Sequence, residues 1–340
     1  MRNEAGAAAA AERGVRALLA SQDARGAWSD FPRVGNGSDE WVTGYIGAAV
    51  GAHAPAAAER AWSSLAARSR WSGGWGFMPS YPADSDSTVC ALRLAETLPN
   101  GGGFRARRAR AFLRRHQRSD GGIATYVWPR RMVWHTRLRE SFEGWCSSHA
   151  CVSANAAQLR RFVGRRRVLD YLVATQNRDG AWRAYWWYDE HDYATAFAVA
   201  ALASSPDPHH QSAANRGVAW AARETPATGP LRTAIALNGS AFATALRLYA
   251  LVRGGAATFG LQARLAAWLV ESQLDTGLWA PSAWLRFPPT QVVDTTTIEE
   301  WHVGEMVRGG VMVDDRALFT TATVVAALHA MVAASRADER

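Results

Sequence analysis

Lysine is missing from this sequence: all 38 basic residues are arginine. Without a side-chain primary amine, Schiff-base chemistry and the lysine-dependent phosphate loop are excluded. Cysteine is scarce, with only Cys90, Cys146 and Cys151. An odd count of three argues against a disulfide framework. The N-terminal segment, rich in alanine and charge, has no compact Leu/Val stretch of the kind a secretory leader carries. Together these predict a reducing, cytoplasmic location. No apolar run is expected to reach the length of a membrane span. Strand-like alternation is nowhere sustained, which argues against an α/β fold. Acidic residues number 30, so the net charge is a moderate +8. The excess gathers in two arginine runs, 105–118 and 160–167, which read as solvated faces of helices. No motif of a nucleic-acid-binding module is present, so nucleic acid is not an expected partner.

Tryptophan, in contrast, is abundant at 16 residues, and hydrophobic residues make up 48% of the chain against 20% charged. Such a composition suits a globular protein with a large core. So many indoles need either dense packing or a π-lined cavity. Their spacing shows a repeat. The pattern Gln-x-x-x-Gly-x-Trp is intact at Gln22/Gly26/Trp28, Gln176/Gly180/Trp182 and Gln273/Gly277/Trp279. It is degenerate at Gln117/Gly121/Ile123, and at Gly73/Trp75, where Ser69 replaces glutamine. The closing positions 28, 75, 123, 182 and 279 are 47, 48, 59 and 97 residues apart. The last gap is about two periods, which predicts an eroded sixth copy near Gly229.

Each copy is preceded by an amphipathic helix, as in 165–175 with Val168, Leu169, Leu172 and Val173. Glycine then breaks the helix, and a second helix follows that is apolar on most faces and therefore buried. Segments 88–97, 194–203, 240–251 and 319–334 are of this second kind. Six outer-helix/inner-helix hairpins closing on themselves predict an all-α (α/α)6 barrel occupying residues 1–340 as one domain. Residues 1–12 are expected to lie outside the ordered fold, and 280–312 to form a long loop or lid.

The glutamine–tryptophan repeats resemble those of the squalene–hopene and oxidosqualene cyclases, the class II terpene cyclases. The α/α barrel is also that of prenyltransferase β subunits. The resemblance implies that the repeated Gln and Trp brace the outside of the barrel and take no part in chemistry.

Inner helices of such a barrel begin at one mouth, so their first turns are where a site is sought. These contain Asp39, Glu40 and Trp41; Asp84 and Asp86; Trp145, Cys146 and His149; Glu190, His191 and Asp192; Asn238; and Asp314 and Asp315. Any single one reads as a helix cap. The run Tyr81-Pro-Ala-Asp84-Ser-Asp86-Ser87-Thr88 resembles the Asp-x-Asp-Asp-Thr signature of the cyclases, with Ser87 in place of the last aspartate. Carried over by position, the resemblance implies that Asp86 protonates an alkene or epoxide and that Asp84 is the flanking carboxylate. Burial and a neighbouring carboxylate would keep the donor protonated. Ser87, Thr88 or, across the mouth, His149 would hydrogen-bond the carboxylate left behind. Aromatic faces stabilise a carbocation without capturing it. Trp41, Tyr45, Tyr81, Trp145, Trp187, Tyr193, Phe242 and Phe319 are the expected substrate contacts, with Cys146, His191 and Asn238 beside them.

Cys146 and His149 are three apart and would share a helix face, as a thiolate–imidazole pair or part of a zinc site. Cys151 falls on another face, and the Asp-x-Cys ligand pair of the prenyltransferases is absent. No metal and no cofactor are therefore expected. The reading is an acid-initiated cyclase of an isoprenoid or polyene, acting in secondary metabolism. The alternatives are a non-catalytic barrel that binds a lipid or peptide, or a transferase dependent on Cys146 and His149. A hydrophobic small molecule is the expected partner, with peripheral membrane contact and a homodimer as further expectations.

Overall fold

A computed structural model describes residues 2–31, 37–188, 191–255, 258–304 and 309–338. Outer and inner helices alternate along the chain. The outer ring is α1 (Arg2–Ala20), α3 (Pro55–Arg68), α5 (Gly103–Arg114), α8 (Arg165–Ala174), α10 (Pro208–Arg223) and α12 (Phe259–Glu271). The inner ring is α2 (Glu40–Val50), α4 (Ser85–Thr97), α7 (Ala150–Ala156), α9 (Asp192–Ala203), α11 (Ala241–Arg253) and α13 (Leu318–Asp338). One further helix, α6 (Pro129–Thr136), sits in the link between α5 and α7. Inner helices pack in chain order, and α13 returns onto α2 while α12 meets α1, so the ring closes.

Sequence assigns each helix to its ring. In α9 every residue from Tyr193 to Leu202 is buried, as an all-round apolar helix requires. In α5 only Ala106, Ala109, Phe112 and Leu113 are buried. Arg105, Arg107 and Arg114 of the same helix face solvent, as the arginine run led one to expect.

The repeated motif is a set of hydrogen bonds. The indole Nε1 of Trp28, Trp75, Trp182 and Trp279 donates to the carbonyl ten residues earlier, at 2.7, 2.7, 2.7 and 2.6 Å. Those carbonyls belong to the end of the preceding outer helix, where the helix itself offers no partner. The backbone N–H of each same tryptophan donates to a threonine hydroxyl of its inner helix: Thr43, Thr88, Thr195 and Thr321. The glutamine amide then spans repeats. Gln22 Nε2 donates to Gly26 O at 2.9 Å and to Ala57 O of α3 at 3.0 Å. Gln273 does the same to Gly277 and, across the closure of the ring, to Ala10 of α1. The motif glycine has positive φ, +103° at Gly180, and a Cβ there would lie 2.5 Å from the carbonyl oxygen of Arg216. Conformation and space both exclude a side chain. The sixth copy is present at Gly229, with φ +73°. Leu231 stands where the tryptophan would be, and its N–H donates to Thr244 Oγ1 at 3.1 Å.

Three expectations need correction. Residues 2–12 are not outside the fold: they begin α1, and Ala7, Ala10 and Ala11 are fully buried. Their small side chains let α1 lie against α12 and α13. Segment 280–312 is more than a loop. It contributes β1 (Trp284–Phe287) and β2 (His302–Val303), which join β3 (Gly310–Val313) in a sheet of order β1-β3-β2. Lastly, Leu318–Ala337 is by length and composition apolar enough to cross a membrane, contrary to the expectation that no run would be. It is the longest inner helix, packed against α1, α2 and α11, and barrel burial demands the same apolarity.

Gln22→Ala removes both amide hydrogen bonds and should cost about 1–2 kcal/mol. Trp182→Ala empties a fully buried site and should cost about 3–5 kcal/mol. Urea unfolding should show both losses as a lower midpoint of one cooperative transition; two separately melting halves would contradict a closed ring.

Candidate active site

The two aspartates at the start of α4 have different positions. Asp84 is the N-cap: its Oδ1 accepts from Ser87 N at 2.7 Å and its Oδ2 from Ser87 Oγ at 2.8 Å. It is buried, and burial together with the nearby Asp86 charge pushes its carboxyl up to about 7, against the Ser87 hydrogen bonds. Asp86 lies in the first turn of α4 and keeps part of its surface open to a pocket. Its Oδ1 accepts from Asn155 Nδ2 at 3.3 Å. Burial raises it to about 6, while Asn155, the Arg93 charge and the Trp41 indole favour the ionised form.

The pocket is a cleft partly open to solvent. Trp41, Tyr81 and Trp145 line it with both aspartates. Phe77, Tyr126, Trp186 and Phe287 complete an aromatic wall, with Thr125 and Leu285 between them. Alternation along β1 puts Leu285 and Phe287 on the pocket side. Arg286, between them, turns away and donates to the Tyr185 and Ala184 carbonyls. Arg286 N donates to Trp186 O, and Trp145 Nε1 to Pro288 O, so the sheet is pinned over the mouth. The 280–312 segment therefore builds one wall of the site.

Other expected contacts form the floor beneath the cleft. Phe319 stacks on Tyr45 at 3.9 Å and tilts against Trp41 at 4.6 Å. Trp187 packs on Tyr193, Phe242 and Phe319 at 4.6, 4.9 and 5.3 Å. Tyr45, Trp187, Tyr193, Phe242 and Phe319 are all buried against one another, and none of them lines the cleft. His191 and Asn238 are elsewhere. His191 precedes α9 and packs near Trp220 at 5.9 Å; Asn238 is exposed in the link before α11, which Ser240 caps. Glu190 lies outside the described residues. The remaining first-turn acids are engaged: Asp39 with Arg68, Glu40 with Arg70 and Asp192 with Arg247. Asp314 accepts from Ser282, Ala283 and Thr320 N–H groups.

His149 does not reach the aspartates. Its Nε2 lies 2.9 Å from the Gly144 carbonyl, which can only accept, so Nε2 carries the proton. Nδ1 then accepts from Thr125 Oγ1 at 2.8 Å, and Trp186 Nε1 donates to that hydroxyl at 2.8 Å. The ring stacks on Tyr185 at 3.9 Å, and burial drops it to about 4. It is a neutral strut behind the pocket wall, and the partner of Asp86 is Asn155. The expected pairing with Cys146 fails too, because α7 starts only at Ala150 and residues 146–149 are not helical. Cys146 packs with Tyr126, Met132 and Phe142 instead, its thiol pushed up to about 11 by burial. Among the described residues no cluster of three metal-ligating side chains occurs. Asn155 had one legible signal, an amide inside the apolar, buried helix Ala-Cys-Val-Ser-Ala-Asn-Ala. Maleimide near neutral pH should leave the native thiols largely unlabelled and reach all three only in denaturant. Rapid labelling of native Cys146 would restore the nucleophile reading.

No family model and no curated protein matches the sequence; solved structures do. The type II terpene cyclase MstE from Scytonema, an arginine-to-alanine variant with its substrate geranylgeranyl dihydroxybenzoate, is 33% identical. The match covers 98% of this chain and 99% of that one, with a TM-score of 0.92. An aspartate-to-alanine variant of MstE holds the product, merosterolic acid A, and matches equally well. A protein from Actinoplanes is 36% identical over 95% of this chain and 99% of its own, with a TM-score of 0.88. The ent-copalyl diphosphate synthase of Streptomyces platensis, 20% identical with a TM-score of 0.56, covers 87% of this chain and 50% of its own, and shares the fold. With a cleft of aromatic rings around two carboxyls and an end-to-end match at one-third identity, the chain belongs to the type II terpene cyclases and is a cyclase.

Proposed function

We propose that Asp86 is the general acid of this cyclase and that its substrate is a linear isoprenoid chain, as free polyene or on an arene like the geranylgeranyl dihydroxybenzoate of MstE. The observation that carries the reading is the contrast between the two aspartates. Both border the cleft, but Asp84 is buried and occupied as a helix cap, whereas Asp86 keeps surface open to the cleft and is held near the pKa at which a carboxyl both keeps and gives a proton around neutrality. In the reaction the O–H bond of Asp86 breaks as a C–H bond forms at the terminal alkene, or as an epoxide oxygen is protonated and its C–O bond opens. The tertiary cation is then attacked by successive double bonds. A proton lost from the last cation closes the balance, so the alkene reaction is an isomerisation. Trp41, Phe77, Tyr81, Trp145 and Trp186 present π faces that stabilise the moving charge and offer no lone pair strong enough to trap it. The three free, buried cysteines support a reducing compartment, the cytoplasm.

The test uses geranylgeranyl dihydroxybenzoate and a panel of linear isoprenoids. Asp86→Asn should lower turnover by about 10²–10⁴-fold with unfolding unchanged. Asp84→Asn should cost less, because asparagine also caps helices. Cyclisation by the wild type in deuterated water should place one deuterium on the first protonated carbon. Near-normal turnover by Asp86→Asn would remove Asp86 from the chemistry.

The pH dependence follows from the direction of the shift. Asp86 acts while protonated, so kcat should be full below its folded pKa and fall as pH rises through about 6. A rate that instead rises through that window would assign the limb to a base.

A further inference from the structure

The inner ring holds a second cavity, at the end away from the cleft. Tyr45 stacks on Phe319, and its hydroxyl lies 2.9 Å from Thr323 Oγ1, which ties α2 to α13 across the ring. Beyond this tie the inner helices surround a space of about 280 Å³, partly open to solvent, and no residue lines both it and the cleft. Small side chains make the room. Ala48 and Ala49 on α2 and Ala326 and Ala330 on α13 border it, whereas nearer the cleft the same helices carry Trp41, Tyr45 and Phe319.

The polar groups of this cavity favour one sign of charge. Arg93 from α4, Arg253 from the end of α11, His329 from α13 and His53 just after α2 line it, with no carboxylate among them. Among the described residues no carboxylate pairs with either arginine. Arg93 spends one donor on Asn155 and lies 5.0 Å from the Phe197 ring centroid; Arg253 lies 5.9 Å from that of Tyr249. A ring over the face of a guanidinium leaves its in-plane N–H groups free to meet an anion. The helix dipole accounts for an arginine in the last turn of α11, but not for Arg93 and His329, which stand short of the last turns of their helices.

The two histidines stack face to face, with ring centroids 3.4 Å apart. Burial lowers both, and the nearness of His53 adds to it at His329, which drops to about 4. The pair is therefore neutral around pH 7, and each ring keeps one N–H donor.

We propose that this far cavity is a binding site for a phosphate-type oxyanion, held by Arg93 and Arg253 with His53 and His329 as further donors. A carboxylate has only two oxygens to offer, whereas two guanidinium forks and two ring N–H groups match an anion with three or more. The source is either a free inorganic ion or the head of an organic diphosphate whose short apolar part lies against Leu246 and Ala330. The site is separate from the acid, so the proposal does not rest on the role of Asp86.

Full-length protein in phosphate-free buffer is titrated with inorganic phosphate, inorganic diphosphate and dimethylallyl diphosphate, with sodium chloride at matched ionic strength as the reference. Inorganic diphosphate should raise the thermal midpoint along a saturating curve. It should also shift the imidazole NMR signals of His53 and His329, identified by their loss in His53→Gln and His329→Gln. Arg253→Met, a change at the exposed end of α11, should weaken binding by about tenfold and leave cyclisation as it is. Tighter binding of dimethylallyl diphosphate supports the site with an organic source, and tighter binding of the inorganic ion supports it with a free one. Asp86→Asn should bind as the wild type does. The same rise with sodium chloride overturns the proposal. So does a titration that leaves both histidine signals unmoved, or one that shifts only His135, beside Tyr81 at the cleft. The histidine signals are read in the wild type, so the test survives a variant that fails to fold.

Discussion

The hydrogen bond from a tryptophan indole to the carbonyl ten residues before it is the interaction on which this barrel depends. It closes the end of an outer helix with a rigid, buried ring, and the N–H of the same residue seizes a threonine on the inner helix. Two bonds on one residue set the angle of the hairpin. The glutamine amide then ties that corner to the next outer helix, and the tie from Gln273 to Ala10 joins the last repeat to the first. Asp30 reinforces the same seam by accepting from the N–H groups of Leu318 and Phe319 at the start of α13. All six corners, including those at Ile123 and Leu231, keep the backbone N–H bond to an inner-helix hydroxyl, so every inner helix begins at the same mouth. A catalytic carboxyl at a helix start and aromatic rings from distant repeats meet there as a consequence.

At that mouth two opposing requirements meet. A carboxyl that must protonate an alkene has to be neutral when substrate arrives, which burial arranges. It also has to be a strong acid, which burial opposes. The site divides the task among neighbours. Asp84 spends its oxygens on Ser87, and Asp86 receives an amide donor and, behind it, an arginine. Ser87, where the cyclase signature has another aspartate, leaves one carboxylate fewer to repel the ionised product. Its hydroxyl instead donates to Asp84.

Expectation and structure differed where a side chain's direction depended on backbone that has no period. His149 was three residues from Cys146 in a stretch that reads as helix, yet the helix starts one residue beyond it, and its two nitrogens are spent on Thr125 and Gly144. Asn238 and His191 precede inner helices as Asp84 does, but neither lines the cleft. Tyr45, Trp187, Tyr193, Phe242 and Phe319 were expected to contact substrate. Their mutual stacking, with little surface left open, makes them the floor and not the wall. Phe77, Tyr126 and Phe287 are isolated aromatics outside the helices and carry no periodic signal in the sequence.

The sequence alone determined the (α/α)6 ring, its six corners including the eroded one at Gly229, the outer faces of the arginine runs, and the place of Asp84 and Asp86 at the head of an apolar helix. All of these are local: they follow from spacing along the chain, glycine conformation and helix periodicity. Only the tertiary structure decided which aspartate keeps surface open to the cleft, that Asn155 and Arg93 stand behind it, and that β1 closes the mouth above it. Each of those depends on contact between residues 62 to 102 positions apart, as in Arg93 to Asn155 and Arg286 to Ala184. Nothing in the spacing of such residues distinguishes a buried amide that orients an acid from one that merely fills its place in the core.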